Sequence, residues 1–161
     1  MSDGWLNFRE RRLRAALGRG GVRADKIEGD GATPLGLLPL RRVFYRADRI
    51  GIPATILPRE PITQTDGWCD DPIDRAYNRA ITLPHSARHE ELWRADALYD
   101  LMVVLGWNDA PVAINRGSAI FLHLARPDYA PTDGCIAVSL PDLRWLLTAG
   151  LTSIEVVSQG Y

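Results

Sequence analysis

The segment Gly117-Ser118-Ala119-Ile120-Phe121-Leu122-His123 ends an apolar run on a histidine, and Thr132-Asp133-Gly134-Cys135-Ile136-Ala137-Val138 opens a second run with a cysteine. Both runs have the composition of buried strands, with Pro127, Pro131 and Asp133 punctuating the turn between them. A hairpin-like excursion would return Cys135 to His123. A thiol attacks as thiolate, and its free pKa of roughly 8.5 calls for a neighbouring base or dipole. A histidine on an adjacent strand is suited to that task near neutral pH. Gly134 permits a sharp turn, which would leave backbone N–H groups near Cys135 available as an oxyanion hole. The same residues also fit a purely structural role, because free cysteine is often buried and packs as a small hydrophobe. Spacing alone leaves both readings open.

Working outward, the 161 residues suit a single domain, spanning 1–161. Apolar residues make up 46% and charged residues 24%, the balance of an ordinary globular protein. A net charge of −1 gives no global field to recruit nucleic acid or an anionic membrane. The arginines of Arg9–Arg14 and Arg41–Arg46 alternate with apolar residues and read as solvated strand faces. No run approaches the roughly 18 apolar residues of a membrane span. The start, Met1-Ser2-Asp3-Gly4-Trp5, shows neither the basic region nor the apolar core of a secretory signal. Cys69 and Cys135 are too few for a disulfide scaffold, and a bridge between them would remove the nucleophile.

The first half alternates short apolar pieces with Gly and Pro, which predicts strands at Leu13–Leu17 and Leu37–Tyr45. Between them Gly29–Gly36 reads as a tight turn whose glycines take positive φ. It lacks the Gly-Lys-Ser/Thr and the following helix of a phosphate loop. Residues 58–72 form an irregular polar segment in which Asp70-Asp71-Pro72 reads as an ordered turn. Two carboxylates without a further ligand in step make no metal centre. His85 and His89 have the spacing of a helical zinc pair, but the order His-Ser-Ala-Arg-His and the preceding Pro84 favour surface histidines. No metal and no cofactor is expected. Glu90–Leu98 is predicted as a short helix, Leu101–Leu105 and Ala119–His123 as central strands. A second helix should start at Ser139 with Pro141 in its first turn and stop at Gly150, before a last strand at Thr152–Val157. The fold class is α+β and β-rich, with a few short helices.

These residues resemble a known family. The pair Gly117–His123 and Thr132–Ala137 is similar to the signature of L,D-transpeptidase catalytic domains of the YkuD type, a strand histidine followed by Ser/Thr-His-Gly-Cys. Lys26-Ile27-Glu28-Gly29-Asp30-Gly31-Ala32-Thr33-Pro34-Leu35-Gly36 resembles the family's Lys-x-x-Gly-Asp-Gly-x-Thr-Pro-x-Gly stretch. The resemblance runs from about residue 13 to 148, two motifs in the right order. It implies a β-sandwich or barrel fold and cysteine-dependent remodelling of peptidoglycan stem peptides. Cys135 would be the nucleophile, His123 its partner, and Gly134 and Thr132 would hold their motif positions. A backbone carbonyl orients the histidine in the family, so no acidic third member is required.

Two departures bear on substrate detail rather than on the cysteine chemistry. The second motif histidine is Asp133 here, and the gap between His123 and the cysteine element is short. A carboxylate beside the thiol would raise its pKa unless it points away or binds a substrate amine. Ala137 stands where many members carry Arg or Asn. These features resemble a compact subgroup without signal peptide, associated with cross-links from L-Ala to diaminopimelate rather than between two diaminopimelates.

The implied reaction is acyl transfer from a stem peptide through a Cys135 thioester to a diaminopimelate amine, with His123 holding Cys135 as thiolate. Asp133, Asp70 or Asp71 would suit the cationic acceptor, and Arg79 the stem carboxylates. Trp68 and Tyr77 would wall the groove, with Ser118, Thr132 and Asn78 completing the substrate contacts. Packing and turn closure would explain the same residues equally well. Carbapenem-type inhibitors are expected to acylate such a thiol. The competing readings are an L,D-carboxypeptidase or hydrolase, in which water replaces the amine, and a wall-binding module without turnover. The implied substrate belongs on the periplasmic, cell-wall side, whereas the absence of a readable export signal leaves the cytoplasm open.

Overall fold

The computed structural model describes residues 3–158, so Met1 and Ser2 of the N-terminal reading lie outside the described residues. Thirteen strands and one helix are found there. The strands are β1 (Asp3–Phe8), β2 (Arg11–Ala16), β3 (Val22–Arg23), β4 (Thr33–Pro34), β5 (Gly36–Tyr45), β6 (Arg59–Pro61) and β7 (Asp66–Cys69). They continue as β8 (Ala80–Thr82), β9 (His89–Glu91), β10 (Leu101–Leu105), β11 (Phe121–Leu124), β12 (Ile136–Val138) and β13 (Ser153–Val156), with α1 (Leu140–Thr148) before the last.

The main sheet runs β1-β2-β12-β11-β10-β5-β13, with β6 against β5. Its centre carries the most apolar segments for a physical reason: β10 and β11 are buried at every residue and so need apolar side chains on both faces. Leu122, Leu124, Ile136 and Val138 pack on one face with Leu143, Leu146 and Leu147 of α1. Phe121, Cys135, Met102 and Val104 face the other way, against Trp68 of β7 and Leu92 just after β9. A small sheet of order β8-β7-β9 thus covers the face opposite the helix. This is the strand-rich β-sandwich that the resemblance implies.

Helix α1 follows its sequence signals closely. Ser139 is the N-cap and its Oγ accepts the Asp142 N–H at 3.2 Å, with a proline in the first turn. Gly150, at φ +85°, ends the helix as expected.

Three expectations need correction. Glu90–Leu98 is not a helix: His89–Glu91 forms β9, because Glu90 pairs with Trp68 and His89 with Cys69 across the small sheet. Tertiary pairing there overrides helix propensity, and α1 is the one helix among the described residues. Second, β11 and β12 do not form a hairpin but pair in parallel, Leu122 with Ile136, His123 with Ala137 and Leu124 with Val138. Third, Arg46 is no solvated strand residue: it is buried, chelates Asp48 with two bonds of 2.8 Å and stacks on Trp93 with its guanidinium 3.6 Å from the ring centroid.

Leu122 is fully buried between the sheet and the helix. Leu122→Ala should lower the unfolding free energy by about 2–5 kcal/mol, read as a drop in the urea midpoint. A loss below 1 kcal/mol would mean this face is not the core.

Candidate active site

Residues of a strand alternate between its two faces, so Phe121 and His123 share one face of β11. Continuing the parallel register one step outward sets Cys135 beside Phe121, and the Phe121 N–H donates to Cys135 Sγ at 3.4 Å. The sulfur in turn donates to the Ala119 carbonyl at 3.3 Å. Cys135 and His123 therefore lie on the same side of the sheet, one step apart on adjoining strands. Both line one cavity of about 510 Å³. Cys69 and Cys135 are both free thiols.

The turn before Cys135 is held by two segments that are distant in sequence, residues 17–19 and 32–33. Thr132 N–H bonds to Leu17 O and Arg19 N–H to Thr132 O, at 3.0 and 2.9 Å. The Cys135 carbonyl accepts from Thr132 Oγ1 at 2.6 Å and from Thr33 Oγ1 at 3.4 Å. Gly134 sits at φ +123°, and a Cβ there would meet the Ala32 carbonyl oxygen at 2.8 Å. Only glycine fits without a backbone shift. The Gly134 N–H is itself engaged by Thr132 Oγ1 at 3.2 Å.

The glycine-rich stretch that resembles the second family motif is the brace for this turn. Gly29, Gly31 and Gly36 all have positive φ, as its composition predicts. Lys26 and Asp30 form a buried ion pair of 2.7 Å. Burial opposes ionisation of Asp30, but the bonds from Lys26 and from the Ala32 and Ile27 amides outweigh it and hold the carboxyl below its usual range. Thr33, next in the loop, is fully buried and links Gly18 N–H at 2.8 Å to the Cys135 carbonyl.

His123 is also buried, and its Nδ1 lies 2.9 Å from the Leu124 carbonyl oxygen. A carbonyl only accepts, so Nδ1 carries the proton and Nε2 keeps its lone pair. The Tyr99 ring packs edge-on against the imidazole at 5.3 Å, and the Tyr99 hydroxyl donates to Glu90 at 2.7 Å. Burial pushes the His123 pKa down to about 4 and the Cys135 thiol up to about 12. The resting pair is therefore neutral thiol and neutral imidazole, which corrects the expectation of a standing thiolate. Removal from water is the largest cause for both, the charges of Glu90 on the thiol and Arg94 on the imidazole act in the same direction, and the backbone bonds of Phe121 and Leu124 oppose them.

Asp133 turns to solvent at the cavity, while its charge still contributes to raising the Cys135 pKa. Its side chain is 83% exposed and pairs with Arg19 at 3.3 Å. Ser118 lines the cavity and donates to Glu28 Oε2 at 2.8 Å. Asp70 lines it as well, held by Arg88 at 3.0 Å. Asp71 instead closes its own turn by accepting the Ile73 N–H at 3.2 Å.

Four expected groove residues lie elsewhere. Trp68, Asn78 and Arg79 line a separate cavity of about 270 Å³. Arg79 bonds to the Asp109 carbonyl at 3.1 Å. Tyr77 is buried and donates to Glu28, while its oxygen accepts the Gly117 N–H at 3.1 Å. Asn78 is a hub: its Oδ1 accepts from Trp68 Nε1 and from the Ala119 N–H, and its Nδ2 reaches the carbonyls of Trp107 and Asn108. It secures Ala119, a non-glycine residue at φ +54° whose carbonyl receives the thiol. These side chains support the site from behind rather than wall it. His85 lies in a loop and His89 on β9, so the two histidines do not share a helix.

Sequence reasoning missed the charged rim of the main cavity. Arg19, Lys26, Arg94 and Arg126 bring cationic groups, Glu28 and Glu90 acidic ones. Burial raises the Glu90 pKa, against the lowering effect of its bond from Tyr99. These residues are scattered from 19 to 126 and share no spacing. The available signals were Lys26 and Glu28, both inside the glycine-rich motif.

The buried imidazole has a consequence for stability. His123 takes a proton near its ordinary 6.5 in the unfolded chain and only near pH 4 in the folded one. Stability is thus complete above about pH 6.5 and falls as the pH drops toward 4, by up to roughly 3 kcal/mol from this group. His123→Gln should flatten that part of the pH profile in urea unfolding. Equal slopes for variant and wild type would show that the imidazole is not buried neutral.

No curated protein and no solved structure compared with the chain matches it. The family model described as the L,D-transpeptidase catalytic domain, YkuD, matches residues 2–156. That span includes both strand motifs, the glycine-rich brace and the cavity between them. The chain belongs to the L,D-transpeptidase catalytic-domain family.

Proposed function

We propose that this protein forms peptidoglycan cross-links by acyl transfer through a thioester on Cys135. The observation that carries the reading is the delivery of Cys135 and His123 to one face of adjoining strands, both lining a single cavity. The family acts on peptidoglycan stem peptides, and the rim suits such a substrate. Stem peptides carry carboxylates and free amines, and both cationic and anionic side chains line the cavity.

In the proposed reaction Cys135 Sγ attacks a stem-peptide carbonyl while its proton passes to Nε2 of His123. The proton moves during attack because neither resting group is charged. The oxyanion forms against the backbone at Cys135, where preorganised donors act strongly in a water-poor site. Collapse breaks the C–N bond, and the departing amine takes the proton from Nε2. The acceptor amine then attacks the thioester, gives its proton to His123, and displaces the sulfur, which regains it. Asp70 and Glu28 are placed to attract an ammonium acceptor, Arg88 and Arg94 to hold a carboxylate. Asp133 meets solvent beside Arg19 and so belongs at the mouth, where an acceptor arrives. The short gap between His123 and the cysteine element, with Asp133 in it, favours a cross-link from L-Ala to diaminopimelate over one between two diaminopimelates. The site of action in this reading is the cell-wall side of the inner membrane. No helix among the described residues is long and apolar enough to cross a membrane.

Defined muropeptides incubated with the protein should yield a dimer whose fragmentation spectrum names the bond. Cys135→Ala should abolish the dimer and the mass adduct of a carbapenem, and His123→Gln should slow turnover by about 10²–10⁴. Trimmed monomers alone would make the protein a hydrolase, and a dimer from Cys135→Ala would remove the mechanism.

A further inference from the structure

On the small sheet, away from Cys135, three chemically different side chains converge. Cys69 ends β7, Asp74 lies in the turn that follows, and His85 in the loop between β8 and β9. The Cys69 sulfur, a carboxylate oxygen of Asp74 and a ring nitrogen of His85 lie within 4.8 Å of one another. Cys69 has no solvent exposure. The Asp74 and His85 side chains are 24% and 25% exposed, which leaves a path from solvent.

The orientation of these groups is the informative part. His85 Nε2 is buried and forms no hydrogen bond, while Asp74 Oδ2 stands 3.4 Å away and pairs with it only when the ring is protonated. Buried polar atoms in folded proteins are nearly always paired, so this lone nitrogen calls for an occupant. The other Asp74 oxygen is already fixed by the Ala76 N–H at 2.7 Å, which turns Oδ2 toward the cluster.

We propose that Cys69, Asp74 and His85 bind a divalent transition-metal ion, with zinc the best match, and that water fills the fourth position. Sulfur, nitrogen and oxygen together suit zinc, whereas calcium and magnesium take oxygen alone. On binding, the Cys69 thiol gives its proton to solvent and the sulfur bonds the metal. Thiolate and carboxylate together balance the ion's two charges, so the filled site adds no net charge to a buried place. The three ligands come from three separate segments, so the ion would fasten the wall that carries Asp70, Arg88 and Glu90 into the main cavity. This site is independent of the chemistry proposed for Cys135.

The test is titration of the chelator-treated protein with Co²⁺ and then Zn²⁺. A near-ultraviolet thiolate-to-cobalt band should saturate at a single equivalent and bleach as zinc displaces cobalt, and zinc should raise the melting temperature. The band should persist in Cys135→Ser and vanish in Cys69→Ser, while His85→Ala should weaken cobalt binding by about tenfold or more. Should Cys69→Ser fail to fold, alkylation of the wild type decides: zinc must protect Cys69, located by peptide mass, from the reagent. Absence of the wild-type band, its survival in Cys69→Ser, unchanged affinity in His85→Ala, or no protection of Cys69 would each overturn the assignment.

Discussion

The parallel ladder between β11 and β12 is the constraint from which the site follows. Two strands in parallel cannot be joined by a tight turn, so the chain must leave the end of β11 and return to the start of β12. Residues 125–135 make that return and deliver Cys135 at the edge where β12 begins. Because the register sets Leu122 against Ile136, Cys135 and His123 fall on the same face. A slip of one residue would turn the imidazole into the helix-covered core.

A return segment of this kind has little structure of its own, and the fold compensates with contacts from afar. Leu17 and Arg19 pin Thr132, Thr33 reaches the Cys135 carbonyl, and Ala32 leaves no room for a side chain at Gly134. From behind, Asn78 secures Ala119, whose carbonyl receives the thiol. The Cys135 sulfur is thus held by backbone groups, the Phe121 N–H and the Ala119 carbonyl. That arrangement keeps the pair neutral at rest and suits a reaction in which the proton travels with the attack. The charges stand farther out, around the cavity rim, where a charged peptide would meet them.

The small sheet β8-β7-β9 has two faces of interest. One side packs Trp68 and Leu92 onto Phe121 and its neighbours and so closes the core behind the sulfur. Its loops carry Asp70 and Arg88 to the cavity and bring Cys69, Asp74 and His85 together. Anything that stiffens this sheet will therefore act on the cavity wall.

The local signals were strong wherever a segment carried its own instructions. The apolar runs of β10 and β11, the Ser139 cap, the stop at Gly150 and the positive-φ glycines of the Lys26–Gly36 loop were legible from residue types alone. The strand histidine and the Asp-Gly-Cys element were legible as a pair, and so was their family. What the chain order concealed was pairing over long distances. Glu90 became a strand residue because Trp68 lies opposite it, and the β11–β12 connection became a crossover because the sheet aligned both strands the same way. Trp68, Tyr77 and Asn78 turned from groove walls into supports because their polar atoms met partners up to 49 residues away. Composition and periodicity report what one segment prefers; which segments meet, and so which side chains share a cavity, is set by the packing of the whole sheet.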